Sequence, residues 1–117
     1  MTTPTSIQPD QLPATIRGFL TAHVTRNADT ALRAFTPTAV VVDDGTTYRG
    51  SEEVWRFLTE SGTEFSYTTQ LVGAERVDEA HWVAVNRLEG DFPGGVVELR
   101  YRFALDGDLI AELVIAP

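Results

Sequence analysis

The chain has 117 residues, 43% of them hydrophobic and 22% charged, which is the composition of an ordinary globular domain. Seventeen acidic residues against nine basic ones give a net charge of −8, and this balance argues against binding to nucleic acids or anionic membrane surfaces. The chain contains no cysteine and no lysine, which excludes disulfides, thiolate metal sites, a cysteine nucleophile and Schiff-base chemistry.

The apolar segments are too short for a membrane-spanning helix. The longest runs have about five residues, whereas a span needs ~20. Residues 1–6 contain neither a basic cluster nor an apolar stretch, so we expect no signal peptide and a cytoplasmic location. Residues 1–9 are rich in Thr, Ser and Pro and predict a flexible tail, followed by one domain over residues 10–117.

Two helices are predicted in the first third of the chain. Asp10 is expected to cap the first one, because its side chain can accept a hydrogen bond from a free backbone amide. A short second helix is predicted over residues 31–35, and Thr36-Pro37 ends it. The first helix has one apolar stripe at helical spacing, formed by Leu12, Ile16, Phe19, Leu20 and His23.

A hairpin and a third helix are predicted next. The β-branched residues 39–43 indicate a strand, Asp44-Gly45 indicates a tight turn, and residues 47–49 can pair back. Ser51 is expected to cap the third helix, and Gly62 is expected to close it.

From there the hydrophobic period changes to two, which predicts four strands over residues 65–77, 80–90, 96–105 and 109–115. Helices segregated from an antiparallel sheet indicate an α+β fold. We therefore predict a curved, mixed or antiparallel sheet that wraps around three N-terminal helices as a cone. The apolar interior of a cone is a natural pocket for a small hydrophobic molecule.

Several local motifs resemble those of a known superfamily. They are N-x-D-x-x-L-x-x-F over residues 27–35, a strand that ends in an acid, R-G-x-E-x-V over 49–54, and an Asp-Gly hairpin within 101–110. In these features the chain resembles the NTF2-like superfamily, which includes SnoaL-like cyclases and ketosteroid isomerases. The resemblance implies the cone-shaped fold, but it does not fix the activity, because the superfamily includes enzymes and non-catalytic binders.

The resemblance implies a general base at Asp43. In the isomerases an aspartate at the end of the first strand removes a proton next to a carbonyl group. Alternation places Val41 and Asp43 on one face, which the resemblance makes the inner one, and an apolar cone would raise the pKa of that carboxyl. Alternatively, Asp43 and Asp44 only form the hairpin turn.

Two positions depart from the isomerases. In the isomerases, a tyrosine and a protonated aspartic acid donate hydrogen bonds to the oxyanion. These positions align with Phe19 and Leu99, which cannot donate. Glu98, the neighbour of Leu99, should point to the opposite face of the sheet. This departure argues against ketosteroid isomerase activity, because stabilisation of the enolate loses its largest expected contribution.

Three further polar residues are candidates for the site. Glu112 would face the inside of the cone if Ile110 and Val114 do, and it could then act as a second acid or base. Alternatively, it points outward or pairs with an arginine on a neighbouring strand. His23 could act as a base facing the cavity or cap its helix. Asn86 could contact a ligand or bond to the backbone.

The predicted ligand-binding residues are mostly aromatic and could equally be core. They are Phe19, Trp55, Trp82, Asn86 and Tyr101. Neither a metal site nor a cofactor is predicted, because two histidines 58 residues apart and no cysteine do not suggest one.

The outer sheet face is a candidate dimer interface, as in many relatives. Alternating acids and arginines can pair across a two-fold axis, although the face could also be solvated. The residues concerned are Val83, Val85, Glu98, Arg100 and Arg102. Two functions remain open at this point: a SnoaL-like enzyme that moves a proton without a cofactor, with Asp43 as base, or a non-catalytic binding or dimeric accessory protein.

Overall fold

A computed structural model of the chain describes residues 3–61, 63 and 65–117. The helices are α1 (Ala14–Val24), α2 (Ala28–Leu32) and α3 (Gly50–Glu60). The strands are β1 (Thr5–Ile7), β2 (Phe35–Asp43), β3 (Thr46–Arg49), β4 (Tyr67–Arg76), β5 (His81–Gly90), β6 (Val96–Asp106) and β7 (Leu109–Ala116). None of the helices in these ranges has the length and apolar character required to cross a bilayer.

The seven strands form one open, mixed sheet in the order β1-β4-β5-β6-β7-β2-β3. Every pairing is antiparallel except that of β2 with β7. The curved sheet wraps around the helices, so the predicted cone-shaped α+β fold is confirmed. The four predicted strands of the second half are also confirmed, with ends within two residues of the prediction.

The core lies between the helices and the inner face of the sheet. Three of its largest fully buried side chains, on α1, α3 and β6, are Phe19, Phe57 and Phe103. Burying aromatic rings of this size contributes most of the hydrophobic stabilisation of a small domain. The core therefore fixes the helices against the sheet and leaves one end of the cone for a cavity.

The first helix begins later than predicted. Asp10 lies in a 3-10 turn over Pro9–Gln11, and α1 begins only at Ala14, so the prediction that Asp10 caps this helix is wrong. The reason is Pro13, which disfavours helical backbone in the residue before it and leaves Leu12 extended. The turn is held by the backbone N–H of Gln8, which donates to Gln11 Oε1 at 2.8 Å.

The second helix lies earlier than predicted, over Ala28–Leu32. Its cap is Asn27, whose side-chain oxygen accepts a hydrogen bond from Thr30 N at 3.2 Å. Phe35 already belongs to β2, so the predicted strand at 39–43 is the second half of a longer one. The pairing of β2 with β7 is irregular between Phe35 and Val40, which accommodates Pro37 in the strand.

The third helix already begins at Gly50, so Ser51 lies within it and does not cap it. Glu53 Oε1 accepts a hydrogen bond from the backbone N–H of Arg49 at 2.8 Å, while Ser51 Oγ donates to the carbonyl of Pro37 at 3.5 Å. Gly62, predicted to close this helix, lies outside the described residues.

Part of the predicted tail is a strand. Thr5–Ile7 pairs antiparallel with β4, and Ile7 packs against the core. The backbone groups of β4 would otherwise be an unpaired sheet edge, which β1 covers.

Gly90 is required by a close approach between chain segments. A Cβ atom there would collide with the carbonyl oxygen of Ser66 and with Tyr67. We expect Gly90→Ala to lower the free energy of unfolding by about 1–3 kcal/mol. The control is Gly18→Ala, because a Cβ on this helical glycine meets open space and should stabilise by about 0.5–1 kcal/mol. Urea unfolding of both variants measures this, and equal effects would contradict it.

Candidate functional site

A cavity of about 360 Å³ opens at the end of the cone where α1 and α3 end. This volume lies in the range of about 300–1,000 Å³ that is usual for small-molecule sites. Its wall is mainly apolar and is formed by Phe65, Leu88, Phe92, Val97, Leu99 and Ile115. Its polar lining includes His23, Asp43, Asp44, Ser61, Tyr67 and Tyr101.

Asp43 is the last residue of β2, where it pairs with Thr46 of β3 and Ile115 of β7. Its side chain is half-buried and lines the cavity. The adjacent turn is made by Asp44 and Gly45, which both adopt positive φ, at 51° and 82°. The turn is therefore formed by Asp44 and Gly45, whereas the side chain of Asp43 lies at the cavity.

The environment of Asp43 favours its protonated form. Burial raises the pKa of this carboxyl above its usual value, the hydrogen bond from Ser61 partly opposes the rise, and the neighbouring Asp44 charge adds to it. Ser61 Oγ donates to Asp43 Oδ2 at 2.9 Å and orients the carboxyl. The arrangement gives a carboxylate that is a stronger base than an exposed aspartate.

We expect Ser61→Ala to raise the pKa of Asp43 further, because it removes a hydrogen bond that stabilises the carboxylate. An NMR titration of the Asp43 side-chain carboxyl carbon measures the change. Ser51→Ala is the control, since Ser51 lies at the opposite end of α3, where its hydroxyl donates to the Pro37 carbonyl. An unchanged or lower pKa in Ser61→Ala would contradict the prediction.

His23 lies in the last turn of α1 and lines the cavity. Its ring stacks on Phe19 at 5.5 Å and on Phe57 at 5.6 Å between centroids. Burial, helped by the charge of Arg26, lowers the pKa of His23 to about 4. His23 is therefore neutral at neutral pH, and in the described part of the chain no hydrogen bond joins it to Asp43.

Tyr101 borders this cavity from β6, and Asn86 lies beside it on the neighbouring strand β5. Tyr101 is 5% exposed, and burial raises its pKa to about 12, so the phenol keeps its proton. The neighbouring Asn86 side chain, which is 4% exposed, partly opposes this rise of the Tyr101 pKa. Asn86 pairs with Leu99, which places it diagonally across from Tyr101 on the inner face.

A second cavity of about 570 Å³ adjoins the first, because both are lined by His23, Phe65, Tyr67 and Tyr101. At its edge, Arg26 donates to the carbonyl of Ser61 at 2.8 Å and to the hydroxyl of Tyr67 at 2.9 Å. Sequence reasoning missed Arg26 as a site residue. The available signal was weak, because an arginine two residues after the end of a helix is common.

Glu112 does not face the cavity. It is exposed, and the pairing of β6 with β7 is irregular at Ala111, because Leu105 faces Ile110 while Ala104 faces Glu112. This bulge breaks the alternation on which the inward prediction depended, so Leu113 and Ile115 point inside instead. The outward orientation, the alternative from the sequence, is the one observed.

Three of the predicted ligand-binding residues lie away from the cavity. Phe19 is 1% exposed and is packed in the core behind His23. Trp55 is 38% exposed on the outside of α3. Trp82 lies near the start of β5, away from the cavity, and Cζ of Arg76 lies over its ring at 5.6 Å from the ring centroid. Tyr101 borders this cavity, and Asn86 borders the second, adjoining cavity.

The outer sheet face carries the predicted charges. Arg100 pairs with Glu75 at 2.8 Å, Glu98 and Arg102 are exposed, and Val83 is buried. In the described ranges no group of three or more His, Cys, Asp or Glu is placed to hold a metal ion. Dimerisation through this face stays a prediction.

No family model and no curated protein matches the chain in sequence. A solved structure from Sinorhizobium meliloti, provisionally named a polyketide cyclase, is 27% identical with a TM-score of 0.85 over 94% of this chain and 100% of that one. A Δ5-3-ketosteroid isomerase from Mycobacterium sp. is 17% identical with a TM-score of 0.70 over 89% and 90%. A Mycobacterium tuberculosis protein in complex with estradiol-17β-hemisuccinate is 14% identical with a TM-score of 0.71 over 88% and 90%.

Proposed function

We propose that the chain belongs to the NTF2-like superfamily, whose fold its solved neighbours share, and that it binds a small hydrophobic carbonyl compound in its cone. Asp43 then acts as a general base that removes a proton from the carbon next to the carbonyl group. The proton returns to a different carbon in an isomerisation, or the enolate attacks a second carbonyl of the same molecule in an aldol-type cyclisation. Neither reaction needs a cofactor.

One observation carries the proposal: a carboxyl with a raised pKa lines an apolar cavity. Asp43 has this environment, and Ser61 holds it in one orientation. A base works best when its pKa approaches the working pH, and burial moves an aspartate in that direction. The apolar wall lowers the polarity around a bound carbonyl, which strengthens the electrostatic interactions made with it.

The neighbours support the ligand class. One is provisionally named a polyketide cyclase, one is a ketosteroid isomerase, and one holds a steroid derivative. All three names involve carbon skeletons that are largely apolar and carry oxygen atoms. The cavity of about 360 Å³ and its apolar wall suit such a molecule.

A non-catalytic role is the second candidate. Phe19 and Leu99 stand where the sequence resemblance places the oxyanion donors of the isomerases, and Phe19 lies in the core. In that case the protein is a ligand-binding or dimeric accessory protein, with two copies joined through the outer sheet face. The same cavity would then hold a ligand without changing it.

Proton exchange separates the two candidates. The protein is incubated in D₂O with apolar ketones of steroid-like and polyketide-like skeletons, and NMR follows both ligand binding and loss of the protons next to the carbonyl. Binding together with exchange above the buffer rate supports the enzyme. Binding without exchange supports the non-catalytic candidate, and the absence of binding across the panel overturns both.

A further inference from the structure

We propose that Arg26 is a carboxylate-binding residue at the edge of the second cavity, and that the ligand is a keto acid whose ketone lies at Asp43 and whose carboxylate lies at Arg26. The inference rests on the proposed function, and it narrows the ligand class from apolar carbonyl compounds to those that carry an anionic group as well. Arg26 binds and orients the ligand in this role, and its guanidinium keeps its charge throughout.

Arg26 occupies a backbone position at which glycine is usual. Its φ is 60°, in the left-handed region. The backbone N–H of Arg26 donates to the carbonyl of His23 at 3.2 Å, and that of Asn27 donates to the carbonyl of Ala22 at 2.8 Å, so α1 ends in a Schellman motif. Any side chain with a Cβ atom is less stable than glycine in this conformation. Strained residues of this kind cluster at ligand sites, where the side chain has a role of its own.

Contacts with two other segments hold the guanidinium of Arg26 in place. It donates to the carbonyl of Ser61, which follows α3, at 2.8 Å and to the hydroxyl of Tyr67, the first residue of β4, at 2.9 Å. Its Cζ lies 5.9 Å from the centroid of the Tyr67 ring. These bonds use one N–H of each terminal nitrogen, so within the described residues three of the five N–H donors have no protein acceptor. A guanidinium fixed in this way can bind a carboxylate with the donors that remain.

The charges around the two adjoining cavities differ from one end to the other. Asp43 and Asp44 line the first cavity. Arg26 lines the second, and no Asp or Glu is among the described residues that line it. In a chain with a net charge of −8, a cavity with a positive charge and no described carboxylate is a local exception. An anionic group is therefore attracted to the end at Arg26 and repelled from the end at Asp43 and Asp44.

One ligand can reach both ends because the cavities share part of their wall. Both are lined by His23, Phe65, Tyr67 and Tyr101. The charge difference then decides which way round a keto acid lies, with the carboxylate at Arg26 and the carbon next to the ketone facing Asp43. Holding the acidic carbon beside the base in this orientation favours proton transfer.

A purely structural role is the competing interpretation, since Arg26 joins the end of α1 to Ser61 and to the start of β4. In such a role the positive charge has no function towards a ligand. The charge does act at the cavity, because burial and then the charge of Arg26 lower the pKa of His23, which lines both cavities. The experiment therefore has to separate the charge of Arg26 from its two hydrogen bonds.

The test uses benzoylalkanoates with two, three or four methylene groups between the ketone and the carboxylate, each paired with its neutral methyl ester. Isothermal titration calorimetry measures the affinity of both members of each pair for the wild-type protein and for two variants. We expect the wild-type protein to bind the best acid about 3- to 10-fold more tightly than its ester. This is the gain expected for a carboxylate that binds an arginine which stays exposed to water, as Arg26 does.

Arg26→Gln should remove the preference for the acid and change the affinity for the ester by less than about twofold. Glutamine can still donate a hydrogen bond to the Ser61 carbonyl but carries no charge. A purely structural role would weaken acid and ester equally, and this result overturns the proposal. Wild-type protein that binds acid and ester equally also overturns it.

Arg33→Gln is the matched control for the loss of charge. Arg33 is exposed directly after α2, its guanidinium donates to the hydroxyl of Thr30 at 3.2 Å, and it lines neither cavity. Its replacement should leave the preference for the acid unchanged. Equal effects of Arg33→Gln and Arg26→Gln would mean that the overall charge of the protein sets the preference, and would overturn the proposal.

The NMR resonance of the Arg26 Nε–H group gives a second readout, which needs no variant. It should shift when the acid is added to the wild-type protein and stay in place when the ester is added. If Arg26→Gln fails to fold, this measurement decides, and a resonance that does not respond to the acid overturns the proposal.

The proposed function and the Arg26 site fail in different ways. Wild-type protein that exchanges the protons next to the ketone, without any preference for the acid, refutes the Arg26 site and keeps the enzyme. Binding of the acid that depends on Arg26, without proton exchange, refutes the enzyme and keeps the site. Protein that binds other apolar ketones but none of these acids refutes the Arg26 site alone.

Discussion

Asp43→Asn is expected to lower the rate of proton exchange by about 10²- to 10⁴-fold, the range usual for losing a general base. Asparagine has nearly the same shape as aspartate and still accepts the hydrogen bond from Ser61, so the cavity keeps its form. It cannot take a proton from carbon. The exchange rate measured by NMR in D₂O should therefore collapse while ligand affinity is retained.

Asp44→Asn is the control for this experiment. Asp44 lines the same cavity and carries the same charge, and asparagine tolerates its positive φ of 51°. Equal losses in both variants would mean that the negative charge matters and not the base, and would contradict the assignment. The pH dependence gives a second check: exchange should be lost as pH falls through the pKa of Asp43, at a pH above the value for an exposed aspartate.

The position of Asp43 was accessible from sequence because three local patterns agree there. A β-branched strand ends at an acid, an Asp-Gly turn follows it, and alternation relates Asp43 to the buried Val41. The second half of the fold was predictable for the same reason, since period-two alternation and turn residues are local. In such segments the strands and turns can be recognised without knowing which distant strand pairs with them.

Glu112, Trp82 and residues 5–7 were not predictable in this way. The orientation of Glu112 depends on a bulge in the pairing of β6 with β7, and the strand at Thr5–Ile7 depends on an open edge about 70 residues away. The position of Trp82 depends on how far along the cone its strand extends. Each of these features is set by pairing between distant strands. The alternation of apolar and polar residues within one segment does not reveal such pairing.

The juxtaposition of Tyr101 and Asn86 has the same origin. Tyr101 and Asn86 were both candidates from the sequence, but nothing local relates them. Their relation arises from the register that places Asn86 opposite Leu99 and Ala84 opposite Tyr101.

His23→Phe is expected to make the protein less sensitive to acid. In the folded protein the pKa of His23 is about 4, below the value of 6.5 for an unperturbed histidine. Above pH 6.5 both the folded and unfolded states are neutral at this residue, so it has no effect on stability. Between pH 6.5 and 4 the unfolded chain binds a proton that the folded one refuses, and stability falls by about 3 kcal/mol at pH 4.

Phenylalanine removes this titration and keeps the stack with Phe19 and Phe57. Its free energy of unfolding relative to wild type should therefore grow by about 3 kcal/mol between pH 7 and pH 4, as measured by urea unfolding. Asp43 shifts stability in the opposite sense, because its raised pKa lets the folded state bind a proton more readily, but this contribution is common to both proteins and cancels in the difference. The control is His81→Gln, since His81 is exposed and pairs with Asp78 at 2.8 Å. A difference between His23→Phe and wild type that stays constant with pH would mean that the imidazole takes up its proton in the folded protein, and that the stack around it opens to water.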